Sequence, residues 1–554
     1  MIAKILSSLE KCFLDESVEQ KPELSQFSFL KNERYSLQVC YQAKTVVKDK
    51  EIRYFRVESP LAPYIRTYVV QNIPSEMPVF RNRPTDGYLR TQPGMYPDLL
   101  QPMGNMQRLP VNHNLHALWL EIDPNGEIEA GVYPITCIFT DTDGKEVCRA
   151  SAQAEVINAL LPPQKMQFTQ WFYTDCLMQY YDTKAFSPKH WRLIENFMRN
   201  AKKYGMNMIL TPVLTPALDT YEGGERPTTQ LVDITLEKGE YRFDFTKLGK
   251  WVDLCDKVGI EYLEICHFFT QWGAKACPKV VAKVRGKKKT IFGWHTASDS
   301  PEYVRFLQTL IPAMLKYLKE KDGADKRCYF HVSDEPAKEH LEQYKKVSNI
   351  LKPLLKGYSL MDALSDYDFY ETGATDHPVV AIDHAEPFLE HQAPGLWTYY
   401  CLSQYKQVSN RFFAMPSARN RIIGTQFYKY NIAGFLHWGY NFYNSQYSYH
   451  RVNPFLCSDG EGFAPSGDTY SVYPGTDGEP WPSIRQVVFA EALQDVRSLQ
   501  LCETLWGREE TLRLLEEGID PITFKEYPRT ADYILQLRER INRAIAEKAK
   551  ERKL

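Results

Sequence analysis

The 554-residue sequence predicts an α/β protein in which an N-terminal β-sandwich precedes a (β/α)8 barrel. Three observations predict it. Between about residues 35 and 157, short β-rich runs succeed one another with polar turns and no long helix. Pro162-Pro163 then interrupts the chain with residues that cannot donate to a sheet ladder. From about residue 165, strand-like runs alternate with amphipathic helices through eight βα steps before residue 505.

The first domain is placed at residues 1–160. Ile2, Ile5, Leu6, Leu9 and Phe13 recur at helical spacing, so a short helix is expected ahead of the sandwich. The strands are YSLQVCYQAKTVV, EIRYFRVES, YIRTYVVQNI, HALWLEI and GVYPITCIFT. A turn at Asp143-Gly144 folds the last of these back on KEVCRASAQAEVI as a hairpin. The barrel is placed at 165–505, with strands QFTQWFYTD, NMILTPVL, YLEICHFF, RCYFHVSDE, YSLMDAL, PVVAIDHA, LWTYYCL and GFLHWGY. Its clearest helices are Ser300–Asp322, with Ser300 placed to cap it, and Ala337–Lys356. Residues 506–554 form a helical tail, charged from Thr530 on, that serves as a solvated face or a packing strap.

Composition narrows the function. Lys+Arg 67 against Asp+Glu 69 leaves a net charge of −2, so no global field favours nucleic acid or an anionic membrane. Lys4, Glu10 and Lys11 break the N-terminal apolar residues, so no secretory segment is read there, and no run approaches ~18 apolar residues. The 12 cysteines include no C-x-x-C pair and are read as reduced, in a cytoplasmic protein. Aromatic content is 13%, with 35 Tyr and 10 Trp, which suits large cores or a surface that stacks flat ligands.

In a barrel the chemistry sits at the C-terminal ends of the strands. Those ends carry Trp171, Asp175, His267, Trp272, His331, Asp334, Glu335, Asp383, His384, Trp397, Tyr399, Tyr400, His437, Trp438, Asn441 and Tyr443. Aromatic walls with a few Asp, Asn and His groups match the apolar faces and hydroxyl edges of sugars. The competing reading is that the same rings fill barrel layers. Asp334-Glu335 is the sharpest feature. Strand alternation sends His331, Ser333 and Glu335 inward and Asp334 outward, unless the chain leaves the pleat before Pro336. If it does, both carboxyls enter the mouth and their proton affinities are pushed apart. The alternative is a structural pair, with one acid capping the next helix.

No phosphate loop, dinucleotide fingerprint, zincin motif or nucleophile elbow occurs, and no cofactor or metal is expected. Asp141-Thr142-Asp143-Gly144 reads as a turn rather than a calcium loop, and Arg285–Lys289 as a solvated loop. His113 and His116 read as core or interface residues rather than metal ligands.

Several blocks together resemble glycoside hydrolase family 123. They are FGW before a long helix, the strand ending SDEP, LWTYYC, RNRIIGTQFYKYNIAGFLHWGYNFY and SGDTYSVYPGTDGEPWPSIRQVVFAEALQDVRSL. The resemblance spans most of 165–505. It implies an exo-acting β-N-acetylgalactosaminidase that releases terminal GalNAc from glycans such as glycosphingolipid chains, with retention, through the substrate's own acetamido group and without metal. Carried onto this chain, Asp334 orients the acetamido N–H and Glu335 is the acid/base. His267, Trp294, His331, Tyr367, Trp397, Tyr399, Trp438 and Asn441 are placed in the sugar pocket by position. Tyr367 or Tyr399 is set to hold the acetamido oxygen and Trp438 to wall its methyl. Arg485 with Glu491 or Asp495 is read either as sugar binders or as an ion pair closing the barrel, the structural role being favoured. The alternatives are a hexosaminidase for GlcNAc and a non-catalytic carbohydrate-binding barrel.

Overall fold

In the computed structural model, which describes residues 1–44, 51–83, 86–104 and 108–552, the chain opens on a strand, Ile2–Ser7, where the sequence predicts a helix. The cause is burial of both faces. Ile5 sits in the core between the sandwich sheets, and Leu6 in a second core shared with Ile534 and Ile541 near the C-terminus. A short strand buried on both sides gives adjacent apolar residues, which mimic helical spacing.

One sandwich sheet runs Ile2–Ser7, Tyr35–Gln42, His116–Ile122, Ile65–Ser75, Gly94–Pro102, all antiparallel. The other runs Gln26–Leu30, Glu146–Ile157, Gly131–Thr140, Glu51–Glu58, Arg108–Val111. Residues 45–47, the end of the first predicted run, lie outside the described residues. The predicted hairpin is present. Asp141 Oδ1 accepts the amides of Asp143 and Lys145, and Gly144 takes φ 81°, a conformation glycine reaches without strain. Beyond it, Ala150, Ala152, Ala154 and Val156 alternate into the core. Residues 158–166, with both prolines, carry no strand or helix.

All eight predicted barrel strands form one parallel sheet: Gln167–Gln170, Met208–Thr211, Tyr262–Ile265, Cys328–Phe330, Ser359–Leu364, His377–Ala381, Trp397–Tyr399 and Gly434–His437. The last pairs with the first, which closes the ring on that side. Between the first and second strands there is no ladder. Asn207 bridges them: its amide donates to the Phe168 carbonyl at 3.2 Å, and its Oδ1 accepts the Phe168 amide at 2.8 Å. A four-stranded sheet absent from the sequence reading, Asp233–Glu237, Glu240–Asp244, Val280–Val284 and Lys287–Phe292, decorates the barrel. Of the predicted loop Arg285–Lys289, only Arg285 and Gly286 form the turn of its hairpin, while Lys287–Lys289 pair as strand with Ala282–Val284.

The helix Pro301–Glu320 buries Tyr303, Phe306, Leu307, Leu310, Met314 and Leu318 as expected, although Ser300 makes no side-chain cap. The helix after Asp334-Glu335 starts later than predicted, at Leu341–Leu351, behind a 3-10 turn. Neither acid caps it. The charged tail helix, Ala531–Arg552, is a strap: Glu539 accepts the amide and hydroxyl of Ser28, and Arg538 pairs with Glu33 and Asp495. Arg485 has a different partner from the one predicted. It clamps Asp98 of the sandwich through Nε and Nη2 at 2.8 and 2.9 Å, while Glu491 and Asp495 pair with Arg421. Charges this deeply buried persist only when paired in this way. The 12 cysteines are free, and among the described residues no helix is long and apolar enough to cross a membrane.

Candidate active site

The fourth strand ends at Phe330, and the chain is then pulled off the pleat from the neighbouring strand. Asp362 accepts the amides of Val332 and Ser333 at 3.1 and 3.2 Å. The Trp272 amide donates to the Asp334 carbonyl at 2.9 Å, and the Glu335 amide to the Ala363 carbonyl at 3.1 Å. Glu335 takes φ 40°, a left-handed conformation that costs a non-glycine residue about 1–3 kcal/mol. This departure turns Asp334 inward, so both carboxyls line one cavity of about 120 Å³. Trp171, Tyr173, Asp219, Gln271, Trp272, Tyr399, Cys401, Trp438 and Phe463 share its walls.

Asp362 also fixes the floor. His331 Nδ1 lies 3.1 Å from Asp362 Oδ1, and its Nε2 2.8 Å from Glu264 Oε1. Glu264 in turn accepts Trp171 Nε1 at 2.8 Å and the Thr169 hydroxyl. Burial opposes charge on His331, but the hydrogen bonds to Asp362 and Glu264 outweigh it and push the ring up to about 9. A cationic imidazole between two carboxylates therefore lies beneath the paired acids.

Burial pushes Asp334 well above the usual carboxylate range, and repulsion from Glu335 and Asp362 adds to it. Burial raises Glu335 too, partly offset by Tyr399, whose hydroxyl donates to Glu335 Oε1 at 2.7 Å. Two adjacent buried acids that both resist ionisation compete for a proton. Asp334 accepts no hydrogen bond through its carboxyl among the described residues, although it is only 8% exposed. Burial also pushes two further carboxyls up to about 7. Asp219, at φ 44°, has a buried Oδ2 without a partner; Asp468 accepts Trp438 Nε1 at 2.9 Å and so aims that ring.

Of the eight further pocket residues read from the sequence, Tyr399 and Trp438 reach this cavity. The other six do not line it, each for a local reason. His331 is spent on Asp362 and Glu264, and His267 stacks on it with centroids 4.1 Å apart. Trp294 lines a separate cavity of about 140 Å³ with Lys279 and His295. Tyr367 packs on Phe388 and His391. Trp397 plugs the barrel floor against Tyr329, over Gly434, where a Cβ would lie 2.1 Å from the indole. Asn441 holds the Tyr173 main chain, accepting its amide at 2.8 Å and donating to its carbonyl at 3.0 Å.

Sequence reasoning missed Tyr173, Asp219, Gln271, Phe463 and Asp468; long loops deliver the last four, and of these only Asp468 lies in a block singled out in the sequence. His267, His331 and Asp362 bring three donor atoms within 4.8 Å of one another. They do not fit a metal: both His331 nitrogens are engaged, and stacked rings cannot aim in-plane lone pairs at one ion.

The family model described as "Glycoside hydrolase 123, catalytic domain" matches residues 171–502. The chain belongs to glycoside hydrolase family 123. It is therefore a glycosidase with a glycan substrate. A family 123 glycoside hydrolase from Clostridium perfringens, solved in a study of glycolipid glycan hydrolysis, shares the fold. It superposes with a TM-score of 0.74 over 99% of this chain and 98% of that one, at 15% identity. A putative β-galactosidase from Bacteroides fragilis aligns with a TM-score of 0.29 at 9% identity, over 84% of this chain and 59% of that one. An endo-β-1,4-mannanase from Thermotoga petrophila aligns with 0.33 at 13%, over 62% and 78%. Neither of these two is similar enough to carry an argument. No curated protein matches this family 123 chain.

Proposed function

We propose that this family 123 chain is an exo-acting, retaining β-N-acetylgalactosaminidase that uses the substrate's 2-acetamido group as nucleophile. The observation that carries the reading is Asp334: a buried carboxyl, aimed into the cavity beside Glu335, with no donor of its own among the described residues. An acetamido N–H supplies that donor. In the free cavity the shared proton favours Asp334, because Tyr399 already serves Glu335. Donation from the substrate N–H stabilises ionised Asp334 and transfers the proton to Glu335, which then protonates the leaving oxygen. The acetamido carbonyl attacks the anomeric carbon, Asp334 balances the resulting oxazolinium charge, and Glu335 afterwards takes a proton from the attacking water.

Tyr399 is occupied and Tyr367 lies elsewhere, so neither is the tyrosine for the acetamido oxygen. Tyr173 is: its hydroxyl is buried, unpartnered among the described residues, and on the cavity wall. Trp438 walls the methyl. Adjacent acids do not straddle a sugar ring in the way that a separate acid and nucleophile at ~5–5.5 Å do, which favours the substrate as nucleophile. The Clostridium perfringens relative, described for glycolipid glycan hydrolysis, supports the choice of glycolipid-type glycans. A panel of aryl β-glycosides tests the reading: turnover of the GalNAc glycoside with little of the GlcNAc, galactose and glucose glycosides is expected. Preference for GlcNAc, or turnover of galactose at a comparable rate, overturns it.

A further inference from the structure

Trp272 belongs to the catalytic cavity, yet it is 40% exposed, and its outer side continues into a row of three tyrosines. Tyr447 meets Trp272 edge-on with centroids 5.7 Å apart, Tyr449 meets Tyr447 edge-on at 6.0 Å, and Tyr221 stacks on Tyr449 at 4.7 Å. Tyr221 and Tyr449 are 41% and 57% exposed. The four rings come from the loops after the second, third and eighth barrel strands, all on the C-terminal face. Singly exposed aromatics are ordinary, but a contiguous exposed set running out of a catalytic cavity is not.

The row is rigidly built. Ser448 Oγ donates to the Asp219 carbonyl at 2.9 Å and accepts Arg226 Nη1 at 3.0 Å, which ties the eighth-strand loop to the second-strand loop. Arg226 is itself clamped by Asp175 through two hydrogen bonds of 3.0 Å. Gly224 leaves room for the Tyr221 ring, since a Cβ there would lie 2.7 Å from it. Trp272, Tyr447 and Ser448 all hold positive φ, at 55°, 54° and 58°, conformations that bulky residues rarely adopt. Backbone strain of this kind clusters at active sites and ligand clamps. The hydroxyls of Tyr221, Tyr447 and Tyr449 make no hydrogen bond among the described residues and remain available to a ligand.

We propose that Trp272, Tyr447, Tyr449 and Tyr221 form a platform for the sugar rings beyond the cleaved bond. The inference rests on the reading of the cavity as the site of the terminal sugar. The occupant follows from continuity: whatever leaves the cavity past Trp272 is the next residue of the same glycan. Its apolar ring face suits stacking, and its hydroxyl edge suits the free tyrosine hydroxyls. Short aglycones end before the outer rings and gain nothing from them.

The test compares Tyr449→Ala and Tyr221→Ala with the parent on two substrates: methyl β-N-acetylgalactosaminide, and a soluble tetrasaccharide with three sugars beyond the terminal GalNAc. The expected result is a fall of about tenfold or more in kcat/KM for the tetrasaccharide, mainly through KM. The methyl glycoside should stay within about twofold, and Tyr449→Phe should retain most of the tetrasaccharide activity. Equal losses on both substrates, or no loss on either, overturn the platform. If the parent cleaves neither substrate, the GalNAc reading fails by itself. Calorimetric binding of the trisaccharide lacking GalNAc to parent and Tyr449→Ala then decides the platform, with loss of binding in the variant supporting it. Should both variants bind that trisaccharide normally but lose binding to glycan-free phosphatidylcholine vesicles, the rings contact a lipid surface and the proposal is wrong.

Discussion

Tyr399 donates its hydroxyl to Glu335 Oε1 at 2.7 Å, from the seventh barrel strand to the end of the fourth. That bond favours the ionised acid. Tyr399→Phe should therefore raise the proton affinity of Glu335 and move the alkaline limb of the kcat/KM profile to higher pH. A loss of roughly tenfold at neutral pH is expected, within the usual range for perturbing a general acid–base. An unmoved limb would show that Glu335 does not set it.

Glu335→Gln should reduce turnover of substrates with poor leaving groups by about 10²–10⁴-fold, the usual contribution of general acid catalysis. An activated aryl leaving group needs less protonation and should recover part of the rate. Equal loss on both substrate types would remove Glu335 from the acid role.

A GalNAc-thiazoline, shaped like the bicyclic intermediate of the proposed mechanism, should inhibit competitively. Asp334→Asn should slow the reaction, and azide should not rescue Asp334→Ala. A covalent sugar trapped on Asp334, or an α-glycosyl azide released from Asp334→Ala, would show that the enzyme supplies the nucleophile.

His331 is held at about 9 in the folded protein, against about 6.5 for an unperturbed ring. A raised proton affinity stabilises the fold fully below the unfolded value and fades as pH rises through the folded one. Urea unfolding should thus show the parent losing on the order of 3 kcal/mol between pH 6.5 and 9.5. In His331→Gln the loss over the same window should be smaller by about that amount, with the raised carboxyls of Asp219 and Asp468 supplying what remains. A parent stability that is flat across this window would mean that the ring is neutral.

Arg485→Met leaves Asp98 buried against a lost partner and should cost about 3–5 kcal/mol in the same assay. Adding Asp98→Leu should restore part of it, since a buried pair replaced by apolar groups is often neutral. If the double variant is no more stable than Arg485→Met, the residues around the pair hold the junction instead.

The barrel was legible because each strand run is followed by a turn and, in several steps, by a helix with one apolar face. The sheet at 233–292 was not, because its hairpin carries exposed lysines at 287–289 that read as solvated loop. The two acids were legible from their place at the end of a strand before Pro336. What the sequence could not show is the pull of Asp362, a residue on the next strand, which turns Asp334 inward. Position alone misled for Trp397. It lies two residues before Tyr399, hence about 6.6 Å deeper in the barrel, and fills the floor rather than the mouth. Asn441 sits at the right level but satisfies the Tyr173 backbone. Asp219 depends on loop contacts from Gln271 and Ser448, which no local pattern encodes.

The joint at Asn207 has a mechanical meaning. Seven of the barrel's eight junctions are rows of main-chain bonds, while the remaining one hangs on a single residue. Thermal motion should find least resistance there, because two bonds of one residue, one from its main chain and one to its side chain, can let go without unzipping a ladder. The amides of Phe168 and Asn207 should be the first in the barrel wall to take up deuterium. The two strands they join run on to Tyr173 and Asp219, both on the cavity wall, so a breath at this joint should be felt at the mouth.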